Sequence, residues 1–527
     1  MSGSSSGVVA SSRLAWPSVP TQVARWGRAA PDAPAVSQQG EVWSYAEAIA
    51  AAVSFTAVLR EAGVLAGQRV AVIGQRGFPV VAAWMAVLAS RAVLIPVDPL
   101  LPSGRQRDVL ARAAHVLVIG DVPLPPLLRA QVAIRLAGEP AGAASCDQLA
   151  TPDPAPDEPG YLFHTSGTTG RPKAIVGHHR SLSHFLHWQR ETFQVGPGDK
   201  VAHLASVEFD PSLREVFLPL VSGATLCLPP PGPMLPRDAL TWLSDERVTM
   251  THAVPAIARA WLRTAPAGIR LPDLRLLLFN GEALPEPLVR RWREQLGYRS
   301  GIVSLYGPAE TTLARCWYQV PDPAPPGVQP LGRPIYDTEV WVRREDGQRA
   351  AAGEVGEIVI RTQYGTGGYL DATAAEEARF VTDPEHPGRT TFRTGDLGYL
   401  SPDGTLHFRG RVDDQVKIYG VRVHLGAVEA VLEQQPGIDQ AAVIVEADRD
   451  GGPPRLTAHL VLRAGQDEVP AGLRAALHDR LPAAAIPARF IVASELPAAP
   501  ASGKLDRRKL SPPLHPTART MRENTDG

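Results

Sequence analysis

The stretch Tyr161-Leu162-Phe163-His164-Thr165-Ser166-Gly167-Thr168-Thr169-Gly170-Arg171-Pro172-Lys173 combines a strand-like lead with a turn built of hydroxyl side chains and glycines. In such a turn, backbone N–H groups and hydroxyls converge on phosphate oxygens, and glycine permits the close approach. It is not the G-x-x-x-x-G-K-[ST] loop of P-loop kinases, because Arg171 follows the second glycine where that loop demands lysine. By composition alone an ordinary Ser/Thr/Gly surface loop remains open.

Around this loop the chain has the texture of an α/β protein. Short aliphatic runs such as Arg69-Val70-Ala71-Val72-Ile73 alternate with longer helical patterns, for instance Phe78 to Ser90. Proline-rich breaks at Thr151 to Gly160, Leu228 to Pro236 and Pro321 to Gly327 read as loops, since proline blocks both ladders and helices. After Arg411 the pattern changes to a charged strand-like run, Gln415 to Val423, a helix around Val428 to Gln434, and a strand from Ala441 to Val445. The expected organisation is a disordered leader over 1–12, a large α/β multi-layer N-terminal domain over 13–412, a small α+β C-terminal domain over 413–510, and a tail over 511–527.

The 527 residues exceed one ordinary core at about 150 residues per domain. With 53 basic and 54 acidic residues, nothing steers the chain toward nucleic acid or an anionic membrane. Cys146, Cys227 and Cys316 form no C-x-x-C pair, which argues against a disulfide framework or structural zinc and for a reducing compartment, the cytoplasm. The apolar stretch Phe78 to Ala89 falls short of the roughly 18 residues of a membrane span and reads as a core helix. Met1 to Ser12 lacks the basic region and apolar block of a secretory signal.

The order Thr165-Ser166-Gly167-Thr168-Thr169-Gly170-Arg171-Pro172-Lys173 resembles the signature of the adenylate-forming superfamily: acyl-CoA synthetases, luciferases and the adenylation domains of non-ribosomal peptide synthetases. The resemblance continues in the family's order from Trp43 to Arg507. Trp43-Ser44-Tyr45-Ala46-Glu47 and Leu94-Ile95-Pro96-Val97-Asp98-Pro99 are similar to its early motifs. Tyr306-Gly307-Pro308-Ala309-Glu310 is similar to Y-G-P-T-E, Thr394-Gly395-Asp396 to T-G-D, Gly410 to Lys417 to G-R-x-D-x-Q-V-K, and Ser502 to Arg507 to N-G-K-x-D-R. Ala309 departs from the usual threonine, a loss of about 1 kcal/mol for one hydrogen bond. Tyr419 stands where arginine is common and His424 where glutamate is common.

The resemblance implies an adenylate-forming fold with a mobile small domain, ATP and Mg²⁺ as cofactors, and attack of a carboxylate on the α-phosphorus with release of pyrophosphate. It assigns Thr165, Ser166, Gly167, Thr168, Thr169, Gly170 and Lys173 to the phosphates and Gly281, Tyr306 and Gly307 to the nucleotide. Asp396 and Arg411 fall to the ribose, Glu310 to Mg²⁺, Lys504 to the transition state and Asp413 to a hinge. Two anions must be brought together, so catalysis there is positive charge and alignment.

Phe209-Asp210-Pro211-Ser212 resembles the F-D-x-S of amino-acid-activating members, in which the aspartate pairs with the substrate ammonium. As plain sequence it is equally a helix cap. The family's pocket positions fall on Asp210, Pro211, Arg214, Ala256, Leu278, Asn280, Leu305, Leu313 and Ala314. Arg214 either meets a polar substrate side chain or satisfies Asp210 at i, i+4. About 20 residues follow Arg507, too few for a carrier domain, so the expected partners are an amino acid and a holo carrier protein in trans, with a small activator protein left open. An acyl-CoA synthetase and a catalytically impaired nucleotide-binding relative are the alternatives.

Overall fold

The computed structural model describes residues 17–120, 122, 133–136, 145–149, 154–155, 157–165, 173–232, 234–381, 385, 388–412, 415–446, 454–463, 466, 468–497 and 510, with backbone only at 133–136 and 165. Ser166, Gly167, Thr168, Thr169, Gly170, Asp413, Lys504, the leader and the tail lie outside these, as does the Thr165 side chain.

Two large sheets carry the first part of the chain. One runs in the order Arg333–Pro334, Cys316–Val320, Gly301–Tyr306, Leu276–Phe279, Met250–Ala253, Lys200–Ala202, Thr225–Leu228, Pro34–Gln38, Glu41–Ser44. The other runs Tyr369–Leu370, Lys173–His178, Pro159–Thr165, Val93–Val97, Arg69–Gly74, His115–Ile119, Ala133–Leu136. Their inner strands pair in parallel, and every residue of Met250–Ala253, Leu276–Phe279 and Val93–Val97 is buried. Parallel strands covered on both faces have this unbroken apolar character.

The Trp43 to Glu47 segment acts locally as a helix start. The Glu47 N–H donates to Ser44 Oγ at 3.2 Å and the Ser44 N–H to Glu47 Oε2 at 2.7 Å, a capping box that opens helix Tyr45–Glu61. That helix packs on Phe78–Ala89, whose residues are all buried except Pro79. One continuous apolar core lies between the two sheets and these helices. Among the described residues no helix is long and apolar enough to cross a membrane.

A third sheet, Thr338–Arg343, Gly356–Thr362, Thr390–Leu400 and Phe380–Val381 with Leu406–Arg411 paired to the long strand, follows. Beyond it, helix Leu425–Glu433 and the strands Ile438–Glu446, Arg455–Leu462 and Arg489–Val492 enclose a separate apolar core. The run from Gln415 to Val423, expected as a single strand, is instead a hairpin of Gln415–Ile418 and Val421–His424. It turns at Tyr419 (φ 52°) and Gly420 (φ 77°), two left-handed residues of the kind that tight hairpins require. Glycine takes that conformation readily; a tyrosine there is strained.

Candidate active site

The loops that leave the carboxyl ends of Met250–Ala253, Leu276–Phe279 and Gly301–Tyr306 open onto one cavity of about 970 Å³. Ligands of parallel α/β sheets gather at this end, where the strand ends leave a crevice. The third sheet and the hairpin close the far side through Asp396, Arg411 and Lys417. Of the sequence-derived site residues, Asp210, Pro211, Arg214, Asn280, Gly281, Leu305, Tyr306, Gly307, Leu313, Ala314, Asp396 and Arg411 line this cavity. Residues as distant in sequence as 210 and 411 are thus assembled by strand order.

The backbone around Tyr306 is tight. A side chain on Gly307 would lie 2.4 Å from the Leu313 carbonyl oxygen and 2.7 Å from Ala314 Cα, so only glycine fits. Thr312 (φ 68°) and Leu313 (φ 59°) are consecutive left-handed residues, a strained pair at the cavity wall. The buried Arg315 guanidinium donates to the carbonyls of Thr311 and Tyr364 and pins that wall. Gly281 has φ 85°, again a conformation that favours glycine.

A polar chain crosses the site. Tyr306 donates its hydroxyl to Asp396 Oδ2 at 2.7 Å, and Arg411 donates to Asp396 Oδ1. Arg411 Nη2 also reaches Gln415 Oε1 at 2.9 Å, which accepts from Arg422 Nε at 2.6 Å. Arg422 Nη1 then meets Glu310 Oε1 at 2.7 Å, an oxygen shared with the Tyr369 hydroxyl. Glu310 is wholly buried. Burial opposes its charge, but the Arg422 guanidinium first and the Tyr369 hydroxyl second hold the carboxyl down to about 2. Its other oxygen, Oε2, is buried and has no partner among the described residues.

Glu310 sits just behind the cavity lining. Lys173 also stands outside it, on the strand Lys173–His178, with its ammonium 2.8 Å from Glu376 Oε1 and over the Tyr369 ring. Ala256 and Leu278, expected beside a substrate, are fully buried and do not reach the lining. Ala256 contributes its backbone instead, donating to Glu282 Oε2 at 3.1 Å, while Gly420 of the hairpin donates to Glu282 Oε1 at 2.8 Å.

Asp210 precedes helix Pro211–Ser222 but makes no side-chain cap hydrogen bond, so the cap reading of this residue is not realised. Its carboxyl faces the cavity and is pushed up to about 6, by burial first, against the opposing charge of Arg214. Arg214, on the same helix, is 1% exposed.

Sequence reading passed over Arg422, Tyr369 and Glu282. Arg422 carried a usable signal: it follows Gly420 by two residues, where strand alternation returns the side chain to the face of Gln415. Tyr369 and Glu282 belong to no motif quoted above, and only the fold brings them to Glu310 and Gly420.

Residues 23–370 match the AMP-binding enzyme family and residues 427–504 its C-terminal domain. The chain belongs to the AMP-binding enzymes. Tyrocidine synthase 2 of Brevibacillus parabrevis is 34% identical over 473 residues, covering 88% of this chain and 13% of that protein. Phosphinothricin tripeptide synthetase PhsC of Streptomyces viridochromogenes is 35% identical over 505 residues, covering 92% of this chain and 44% of its own. The chain therefore spans less than half the length of these peptide synthetases. Holo-PA1221, a solved protein containing adenylation and PCP domains, superposes with a TM-score of 0.81 at 26% identity, over 94% of this chain and 84% of that one. As an AMP-binding enzyme, the chain has the adenylate-forming fold: a large α/β part and a smaller C-terminal domain.

Proposed function

We propose that this AMP-binding enzyme activates an amino acid as its aminoacyl adenylate, releasing pyrophosphate, and passes the acyl group to the phosphopantetheine thiol of a separate carrier protein. The observation that carries the reading is Asp210: a carboxylate facing the cavity with no capping bond, four residues from a buried arginine. A fixed carboxylate selects an ammonium group through a charge-assisted contact. The same residue disfavours the acyl-CoA synthetase alternative, whose acids carry no amine.

Asp396 and Arg411 would hold the ribose of ATP and Tyr306 its base, and Thr165 to Thr169 are the residues assigned to its phosphates. Asp396 accepts from both neighbours already and retains lone pairs for ribose hydroxyls. Glu310 fits a cation, since one of its oxygens is buried without a partner among the described residues and the group stays ionised. Glu310 would hold Mg²⁺ by that oxygen, and the ion would supply positive charge on phosphate oxygens. Lys504 is the group that meets the attacking carboxylate and the α-phosphate. A charge-assisted bond of about 1.5–3 kcal/mol there is worth roughly ten- to hundredfold in rate. The hinge falls at Asp413 and the domain boundary with it. The relatives' membership of peptide synthetases, and the carrier domain named for holo-PA1221, support the carrier acceptor. The place of action is the cytoplasm.

ATP–pyrophosphate exchange tests the reading. Exchange should depend on an added amino acid, fail with the matching acid that lacks the amine, and vanish in Lys504→Ala. Exchange supported only by amine-free acids would overturn it.

A further inference from the structure

Arg214 occupies the helix Pro211–Ser222 one turn beyond Asp210 and lines the cavity while being 1% exposed. Its Nε and Nη2 are buried and have no acceptor among the described residues, nor does any described carboxylate come within 4.0 Å of it. A guanidinium is always charged, and burying it without a partner is strongly unfavourable. Some group must complete it.

Glu215 and, after it, Asp210 offset the Arg214 charge through space, but neither comes within 4.0 Å of it among the described contacts. Glu215 Oε2 already accepts from His203 Nδ1 at 3.1 Å and from the N–H groups of Leu204 and Ala205, each at 2.8 Å. His252, whose Nδ1 lies 3.9 Å from Glu215 Oε1, is pushed far toward the neutral form by burial and then by Arg214 itself. Leu305, Leu313 and Trp261 contribute apolar surface, and Asn280 a neutral amide. Asp210 is the other anion that acts on it, and the i, i+4 pair that its spacing suggests is not formed among the described contacts.

Resting on the amino-acid-activating reading above, we infer that the substrate is an amino acid whose side chain ends in a carboxylate, and that Arg214 binds that carboxylate. The three charged groups of such a molecule then have three separate places. Its ammonium pairs with Asp210, its reacting carboxylate attacks the α-phosphorus, and its second carboxylate meets the Arg214 fork in the two-pronged geometry that suits a guanidinium. A substrate with a neutral side chain would leave Arg214 buried and unpaired in the bound state, which is the condition that rejects such ligands most strongly.

The experiment is ATP–pyrophosphate exchange by the full chain with aspartate, glutamate and α-aminoadipate, each set against asparagine, glutamine, leucine and phenylalanine. At least one acidic amino acid should exceed its neutral counterparts by tenfold or more in kcat/KM. Arg214→Gln should lower that value at least tenfold, mainly through KM, and narrow or invert the preference. Arg214→Leu provides a reading independent of activity: removal of an unpaired buried charge should leave Tm equal or higher, whereas a structural arginine would lower it. A neutral amino acid as best substrate, or unchanged selectivity in Arg214→Gln, overturns the inference and leaves amino-acid activation standing. Exchange with no amino acid at all overturns both.

Discussion

Arg422 Nη1 and Glu310 Oε1 lie 2.7 Å apart across 112 residues of chain, joining the hairpin Gln415–Ile418 and Val421–His424 to the turn after strand Gly301–Tyr306. Glu310 is fully buried, so deleting its cationic partner leaves an uncompensated charge, at a cost of about 3–5 kcal/mol. Arg422→Met should therefore lower Tm in a thermal unfolding scan. If Glu310 holds Mg²⁺ as proposed, the guanidinium competes with the cation for it. In exchange assays the same variant should reach half-maximal rate at a lower Mg²⁺ concentration; an unchanged or higher requirement would separate Glu310 from the metal.

Asp210 gives the reaction a pH limb. Burial raises its carboxyl to about 6, with Arg214 opposing and Glu310 reinforcing the rise. The carboxylate proposed to pair with an ammonium is thus present above about 6 and lost as pH falls through it. The kcat/KM for the amino acid should fall along a single-ionisation limb below that value. Glu310, held near 2, stays charged throughout and adds nothing to the limb. Asp210→Asn should show low activity without the limb, and a limb that persists in this variant would assign it elsewhere.

Asp396 joins the Tyr306 hydroxyl to Arg411. Asp396→Ala strands both donors and removes the proposed ribose acceptor, so KM for ATP should rise about ten- to hundredfold, the worth of a charge-assisted bond of roughly 1.5–3 kcal/mol. Tyr306→Phe removes one bond of about 0.5–1.5 kcal/mol and should cost less than about tenfold. Steady-state kinetics with varied ATP measures both, and equal effects would contradict the ranking.

Ala309 lies on the cavity wall where relatives with the Y-G-P-T-E pattern would carry a hydroxyl. Ala309→Thr should raise kcat for exchange by about fivefold, equivalent to roughly 1 kcal/mol for one recovered hydrogen bond. A neutral or harmful effect would mean that the phosphate approaches from another direction.

Much of this was legible in the residues. The alternation around Arg69 to Ile73 and the apolar block Phe78 to Ala89 announce parallel strands and a buried helix, and both form. The capping box at Ser44 and Glu47 is likewise written locally. The resemblance to the adenylate-forming superfamily assigned Asp210, Tyr306, Asp396 and Arg411 to one site, and all four line the same cavity. What failed was orientation. Ala256 and Leu278 sit beside the cavity but face the core, and that depends on rotations of their helix and strand which spacing does not encode. The hairpin turn escaped notice because Tyr419 gives no hint of left-handed backbone. Lys173 turned to Glu376, a partner contributed by a distant helix, Ala374–Glu377.

In the proposed reaction a substrate carboxylate oxygen attacks the α-phosphorus of ATP. An amino acid labelled with ¹⁸O in its carboxylate, supplied with ATP and holo carrier protein, measures this by mass spectrometry of the released AMP. Each AMP formed on thioester transfer should carry one ¹⁸O atom, with pyrophosphate unlabelled. Unlabelled AMP, or label in pyrophosphate, would contradict it.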